Sequence, residues 1–284
     1  MLRIQINTFR ECGINKGDPK PFSLMLYDAS QPFMIEWGDG CSSLIKPGSP
    51  NKYLPLDSQG YSYADHTYHK DGVYIIEVRT GFGNFKIGDS RHIFGVDDYP
   101  ADEYYDCRLL VEKILEWDSP DIISMHRSLA GCSNLISVPA SLPINVVNIC
   151  RMFDGCYDYF LGNDDVAKWD TSRVYDMSGA FRGCRCLTAD LSNWNVCEAK
   201  VMSNMFQGCY NFNSDISGWD VRNVTDFSFM FDGAETFNAD ISKWKINLLS
   251  NTNNMFSKGS DSYRDTYNKY YTLPVNIKGW ADGV

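Results

Sequence analysis

A step of 25 residues recurs through the second half of this chain and leaves few folds open to it. Trp169, Trp194, Trp219 and Trp244 are spaced by that step, and so are Phe181, Phe206, Phe231 and Phe256. The letters between them repeat as well. Met-Ser-Asn-Met-Phe-Gln-Gly-Cys at 202–209 answers Met-Ser-Gly-Ala-Phe-Arg-Gly-Cys at 177–184 and Phe-Ser-Phe-Met-Phe-Asp-Gly-Ala at 227–234. A unit that short cannot bury its own apolar face, so it must stack on its neighbours as one coil of a solenoid.

Within each coil, Leu191-x-x-Trp194-x-Val196, Ile216-x-x-Trp219-x-Val221 and Ile241-x-x-Trp244-x-Ile246 follow a leucine-rich-repeat strand pattern. The expectation is a short strand with Trp and Val turned inward, stacking into a parallel sheet. Met202, Met205 and Phe206 stand at helical spacing and predict a returning helical arm closed by Gly208. The rows of Trp169, Trp194, Trp219, Trp244, Phe181, Phe206, Phe231 and Phe256 form the expected structural core. Trp117, twelve residues before Leu129, reproduces the Trp169 to Phe181 spacing, so the first coil is expected there. Leu135, Val138 and Pro139 suggest a coil without its tryptophan, and Asn163-Asp-Asp-Val lengthens the next one. About six coils result, spanning some tens of ångströms at the ~4.8 Å spacing of stacked strands. The solenoid is placed at 97–259, and the tail 260–284, with Tyr263, Tyr267, Tyr270, Tyr271 and Trp280, is expected to cap it.

Residues 1–96 read differently. Short alternating runs at 3–9, 22–27, 32–37 and 73–78 are separated by turn signals such as Trp37-Gly38-Asp39-Gly40 and Lys70-Asp71-Gly72, as in a small antiparallel sandwich. Further strands are expected at Phe85-Lys-Ile and His92-Ile-Phe. Asp39, His66 and His69 are read as turn and strand-packing residues, and no metal or other cofactor is expected.

Composition excludes several classes. The formal charge of −10 leaves no excess of Lys and Arg to displace counterions from a nucleic acid. No apolar run approaches the ~20 residues of a membrane helix, and the alternating N-terminal residues do not form a secretory signal core. Cys132, Cys156, Cys184 and Cys209 each follow a glycine in one repeat slot that Ala234 fills later. A slot shared by Cys and Ala wants a small buried side chain, so reduced structural thiols are expected. A glycine-rich phosphate loop, a Cys-x-x-Cys pair and a Gly-x-Ser-x-Gly elbow are all missing from the sequence, so an enzyme is not expected.

The block Met-Phe-Gln-Gly-Cys-Tyr-Asn-Phe-Asn-Ser-Asp-Ile-Ser-Gly-Trp-Asp-Val-Arg-Asn-Val-Thr-Asp resembles the BspA-like leucine-rich-repeat surface proteins of bacteria and some of their phages, with Mycoplasma-lipoprotein-type repeats. Trp-Gly-Asp-Gly together with His-Thr-Tyr-x-x-x-Gly-x-Tyr resembles the signature of a PKD-type domain. These resemblances imply an all-β immunoglobulin-like (PKD-like) sandwich used as a mount, followed by a short leucine-rich-repeat solenoid with a stacked parallel sheet. They also imply a non-enzymatic recognition or adhesion module on a phage virion or bacterial surface. Its partner would be a protein or a cell-surface glycan, with no nucleic acid and no membrane insertion. The alternative is a cytoplasmic interaction protein, an effector or inhibitor that sequesters a host partner. Self-assembly would use the N-terminal domain or the tyrosine-rich tail.

Two columns stand out as candidate sites. Asp190, Asp215 and Asp240 share a slot and would stack as carboxylates, either capping their own turns or holding calcium. Outward positions vary from coil to coil while core positions repeat: Asn193, Gly218 and Lys243 in one column, Asn195, Asp220 and Lys245 in the next, then Cys197, Arg222 and Asn247. The expected binding face is therefore Asn193, Asn195, Asp220, Arg222, Lys243, Lys245 and Asn247.

Overall fold

A computed structural model describes residues 1–10, 15–27, 32–46, 61–79, 82–87, 106–157 and 163–256. These residues are nearly all β-structure and turns. The helical elements among them are a 3₁₀ turn at Cys107–Leu110 and α1 (Asn163–Val166). The expected strand at His92-Ile-Phe and the whole of the expected cap at 260–284 lie outside the described residues.

Two antiparallel sheets open the chain. The first contains β1 (Leu2–Asn7), β3 (Phe33–Glu36), β4 (Ser42–Ile45), β6 (Val73–Val78) and β8 (Val111–Trp117), in the order β4-β3-β6-β1-β8. The second contains β2 (Lys20–Tyr27), β5 (Tyr61–Tyr68) and β7 (Phe85–Ile87), in the order β5-β2-β7. Alternation decides which face goes inward: Leu2, Ile4 and Ile6 are fully buried while Arg3 and Gln5 turn to the rim. Trp37 is buried at the end of β3, and the chain reverses through Gly38 and Gly40 at φ of 84° and 91°. Gly38 has a second reason to be glycine, because a Cβ there would lie 2.6 Å from the Ile75 carbonyl oxygen. Tyr68 donates its buried hydroxyl to the Trp37 carbonyl at 2.8 Å, tying the second sheet to the first.

Lys20 is buried at 2% exposure, and its ammonium donates to Asp71 Oδ1 at 2.7 Å and to the carbonyls of Asn15 and Asp18. A buried ammonium with three acceptors holds two loops together, and losing any acceptor would leave its charge undercompensated.

The Trp117 segment departs from expectation. It is β8, paired antiparallel with β1 in the sheet, and its Trp117 ring also lies edge-on to Trp169 at 5.7 Å, in contact with the tryptophan column of the repeats. On its other side Lys113 bridges in parallel to Ser137, so this strand is also the surface on which the repeats begin to stack. β7 adds a second junction: the Ile87 N–H donates to the Ser128 carbonyl, and Asn84 Oδ1 accepts from the N–H groups of Ile123 and Ser124.

From there, successive repeats lie on one another in parallel. Bridges run from Ser124 to Asn148, Asp176, Val201, Asp226 and Asn251, one per repeat. The indoles form one column, with centroids 6.2, 6.4 and 6.3 Å apart along Trp169, Trp194, Trp219 and Trp244. Phe153, Phe181, Phe206, Phe231 and Phe256 form another, at 5.4–5.9 Å. Phe212 and Phe237 add a third against it, Phe206 and Phe212 being 3.9 Å apart.

Both secondary-structure expectations for the repeat are corrected. Leu191-x-x-Trp194-x-Val196 is a tight turn, with the Trp194 N–H bonded back to the Leu191 carbonyl at 3.1 Å, and the same bond recurs at Trp219 and Trp244. The link between repeats at this point comes from the side chain. The indole N–H of Trp194, Trp219 and Trp244 donates to the carbonyl of Val166, Leu191 and Ile216 in the preceding repeat, at 2.8–3.0 Å.

The Met202–Phe206 arm is not a helix. Asn204 at φ 58° and Gly208 at φ 71° interrupt any helical run. Alternate amides instead leave the repeat: the N–H groups of Met202, Asn204, Phe206 and Gly208 donate to the carbonyls of Asp226, Ser228, Met230 and Asp232. The Met205 and Gln207 amides close turns within their own repeat, onto the carbonyls of Met202 and Asn204. The parallel backbone pairing thus falls on this arm, and its buried Met and Phe side chains face the same core that helical spacing suggested.

Cys132, Cys156, Cys184 and Cys209 are buried free thiols. The thiols of Cys156, Cys184 and Cys209 donate to the carbonyls of Leu129, Phe153 and Phe181 in the preceding repeat, at 2.9–3.3 Å. The thiol is a small apolar filler that also spends its one weak donor between repeats.

Candidate binding surface

The expected face is built at the corners of the repeats. Each corner begins with a short polar side chain that accepts the amide two residues on, which competes with regular structure and fixes a turn. Asp190, Asp215 and Asp240 accept from the N–H groups of Ser192, Ser217 and Ser242, each at 3.0 Å. Hydrogen bonding from those serines holds all three carboxyls below the usual carboxylate range. Asp190 also accepts the Ser214 hydroxyl at 3.3 Å. Each carboxylate has its own local donors, so charge alone gives the column no need of a bridging cation.

Asn195, Asp220 and Asn247 do the same work at the next corner, accepting the N–H of Cys197, Arg222 and Leu249. Arg222 also folds back on Asp220 as a two-point ion pair, Nε to Oδ1 at 2.8 Å and Nη2 to Oδ2 at 2.6 Å. That pairing draws the Asp220 carboxyl down to about 2. Four of the seven expected contact residues are therefore engaged in shaping the turn that carries them. Asn193, Lys243 and Lys245 are exposed, and among the described residues their side chains make no hydrogen bond or ion pair. The structure brings all seven onto adjoining corners of stacked repeats, where Lys243 and Lys245 make no ion pair but lie close enough to act on the Asp240 and Asp220 carboxyls.

The Gly-Cys corner carries polar columns that periodicity alone does not single out. Arg182 donates to Gln207 Oε1 at 3.1 Å and reaches Asp154, and Gln207 passes the chain on to Asp232 at 2.8 Å. Beside it the Arg185 guanidinium lies between the rings of Tyr157 and Tyr210, 5.1 and 5.5 Å from their centroids. The signal was the slot itself: Asp154, Arg182, Gln207 and Asp232 occupy one repeat position with complementary side chains.

In the two-sheet unit, Asp39, Cys41 and His66 come together with their ligand-capable atoms within 4.8 Å of one another. Asp39 has the turn role expected of it, accepting the Cys41 amide, whereas Cys41 carries no local signal because its partner His66 arrives from another sheet.

Residues 147–270 are similar to the family described as "Mycoplasma protein of unknown function, DUF285", a match over less than half of the chain. No curated protein and no solved structure matches the chain.

Proposed function

We propose that the stacked repeats are a short leucine-rich-repeat solenoid and that the two sheets form a PKD-like sandwich that mounts it. The whole acts as a non-enzymatic recognition module on a virion or bacterial surface, taking a protein or glycan partner at the corners bearing Asn193, Lys243 and Lys245. One observation carries this reading. Core slots keep Trp and Phe from repeat to repeat, while the exposed positions beside them change from Asn to Gly to Lys and from Asn to Asp to Lys. Packing dictates the first set and leaves the second free for selection by a partner. The similarity to a Mycoplasma family over 147–270 is in keeping with a bacterial setting.

The test is capture of intact bacterial cells by the immobilised chain, compared with the Arg222→Ala/Lys243→Ala/Lys245→Ala variant. Capture should fall at least tenfold with an unchanged melting temperature, and Lys243→Ala/Lys245→Ala should account for most of the loss because Arg222 is already paired. Undiminished capture by the triple variant rejects this face. The free thiols among the described residues favour a second reading, a partner inside a reducing cell. Capture from lysate alone, with none from intact cells, would select it.

A further inference from the structure

We propose that Asp39, Cys41 and His66 form a site for a zinc-class divalent cation, independent of the recognition face. The three residues come from two places in the fold. Asp39 and Cys41 sit on the turn between β3 and β4, and His66 projects from β5 in the other sheet. Their Oδ, Sγ and ring nitrogen all lie within 4.8 Å of one another. One oxygen, one sulfur and one imidazole nitrogen make a borderline-soft set that suits zinc and gives calcium or magnesium too few oxygens.

The site is held from behind. The His66 ring stacks on Trp37 at 5.0 Å and 13°, and meets Tyr68 edge-on at 4.7 Å. Trp37 is fixed in turn by its indole N–H to Ser43 Oγ at 2.9 Å, and Tyr68 by its hydroxyl to the Trp37 carbonyl. Asp39 accepts the Cys41 amide on Oδ1, which leaves Oδ2 directed at His66 Nε2, 2.7 Å away. Supports of this kind set the ring orientation that a metal ligand needs. Two ligands on one tetrahedral zinc stand roughly 3.3 Å apart, so the Asp39–His66 pair has to open by about 0.6 Å and give up its shared proton. Asp39 is exposed on its turn, so the opening falls on its carboxylate while the packed His66 ring stays in place.

Asp39 and Cys41 are exposed, so the cluster faces solvent on the side where a fourth, exchangeable ligand would enter. A nucleophilic role for Cys41 fits less well. The Asp39 charge pushes the thiol up, and an activated thiol requires the opposite field. A cation reverses this by replacing the thiol proton, so binding must release a proton.

The experiment uses the full chain, freed of metal by chelator and titrated with Co²⁺ and then Zn²⁺. One equivalent of Co²⁺ should give the thiolate charge-transfer band and intense visible bands of a tetrahedral S-ligated ion, and Zn²⁺ should abolish them. Calorimetry of Zn²⁺ binding in two buffers of different ionisation enthalpy should show proton release. Cys41→Ser should remove the charge-transfer band and weaken Zn²⁺ binding at least tenfold. Because Cys41 is exposed, its metal-free melting temperature should not move. His66→Gln should weaken binding similarly, and Cys41→Ser keeps the test decisive if that variant does not fold. An absent cobalt spectrum, a six-coordinate spectrum without a thiolate band, or equal Zn²⁺ binding by Cys41→Ser would each overturn the assignment.

Discussion

Trp219→Ala tests the physical basis of the stack most directly. Trp219 is 4% exposed, lies 6.4 and 6.3 Å from the indoles on either side, and donates its N–H to the Leu191 carbonyl at 3.0 Å. Truncation removes a buried indole from between two others that are tied to their own repeats and cannot close the gap, which costs about 3–5 kcal/mol. Hydrogen bonding contributes little of that. The Leu191 carbonyl still accepts the Trp194 N–H, so no buried acceptor is orphaned. Trp219→Phe, which keeps an aromatic ring in the column and loses the N–H, should cost much less, its hydrogen-bond share being about 0.5–1.5 kcal/mol. Urea unfolding followed by far-UV circular dichroism measures both, with an unchanged slope showing that stability alone has moved. Trp194→Ala combined with Trp219→Ala should depart from additivity by at least about 0.5 kcal/mol, because the two rings share one contact. A Trp219→Ala cost below about 1.5 kcal/mol, or equal costs for Ala and Phe, would refute the claim that ring stacking holds the repeats together.

Gly208→Ala should destabilise by about 1–2 kcal/mol through the backbone alone. Its φ is 71°, and the added Cβ would meet only Gly183 at an ordinary 3.7 Å, so an unchanged melting temperature would contradict the conformation described. A thiol reagent should modify exposed Cys41 in the native protein without unfolding, though more slowly than an unperturbed thiol because the Asp39 charge pushes its ionisation up. It should reach Cys132, Cys156, Cys184 and Cys209 only as fast as the chain unfolds, since burial raises their ionisation and pushes Cys156 up to about 12. Acid should destabilise the corners. Asp190, Asp215, Asp240 and Asp220 have folded ionisation below the unfolded value, so their contribution is present above about pH 4 and lost as the pH falls towards 2. The Asp190→Asn/Asp215→Asn/Asp240→Asn variant keeps the acceptors without the titration and should show a shallower loss of stability over that range.

The stacking columns were legible because a core slot tolerates few side chains: Trp169, Trp194, Trp219 and Trp244 are where the step places them. The backbone between them was not. Leu191-x-x-Trp194 has the same apolar spacing whether the chain runs as a strand or closes an i to i−3 turn, and only the destination of the Trp194 amide tells the two apart. Met202, Met205 and Phe206 likewise face inward from a helix or from a backbone that alternates handedness. Asn204, Asn254 and Gly179 share a slot and are types that tolerate positive φ, but Arg127, Arg151 and Phe229 occupy it in the same conformation, so the residue type there hides the reversal. Trp117 does meet Trp169, at 5.7 Å, but spacing alone cannot show that its strand also pairs antiparallel with β1. The asparates at the corners were legible as caps, a local chemistry. The meeting of His66 with Asp39 and Cys41, and the burial of Lys20 against Asp71, depend on contacts far apart in sequence and left no local trace.

The ladder on the Met202 arm has a direction. The amides of Met202, Asn204, Phe206 and Gly208 all point to the next repeat, while Lys200 N–H at the entry of the arm points back to the Tyr175 carbonyl, so the two faces of a repeat are unlike and mutually complementary, donor meeting acceptor. A further copy of the same segment would find a matching face already waiting and need no new kind of contact. The number of repeats is thus a quantity that gene duplication can change without redesigning the architecture, and the reach of such a protein can be lengthened or shortened while the unit itself stays as it is.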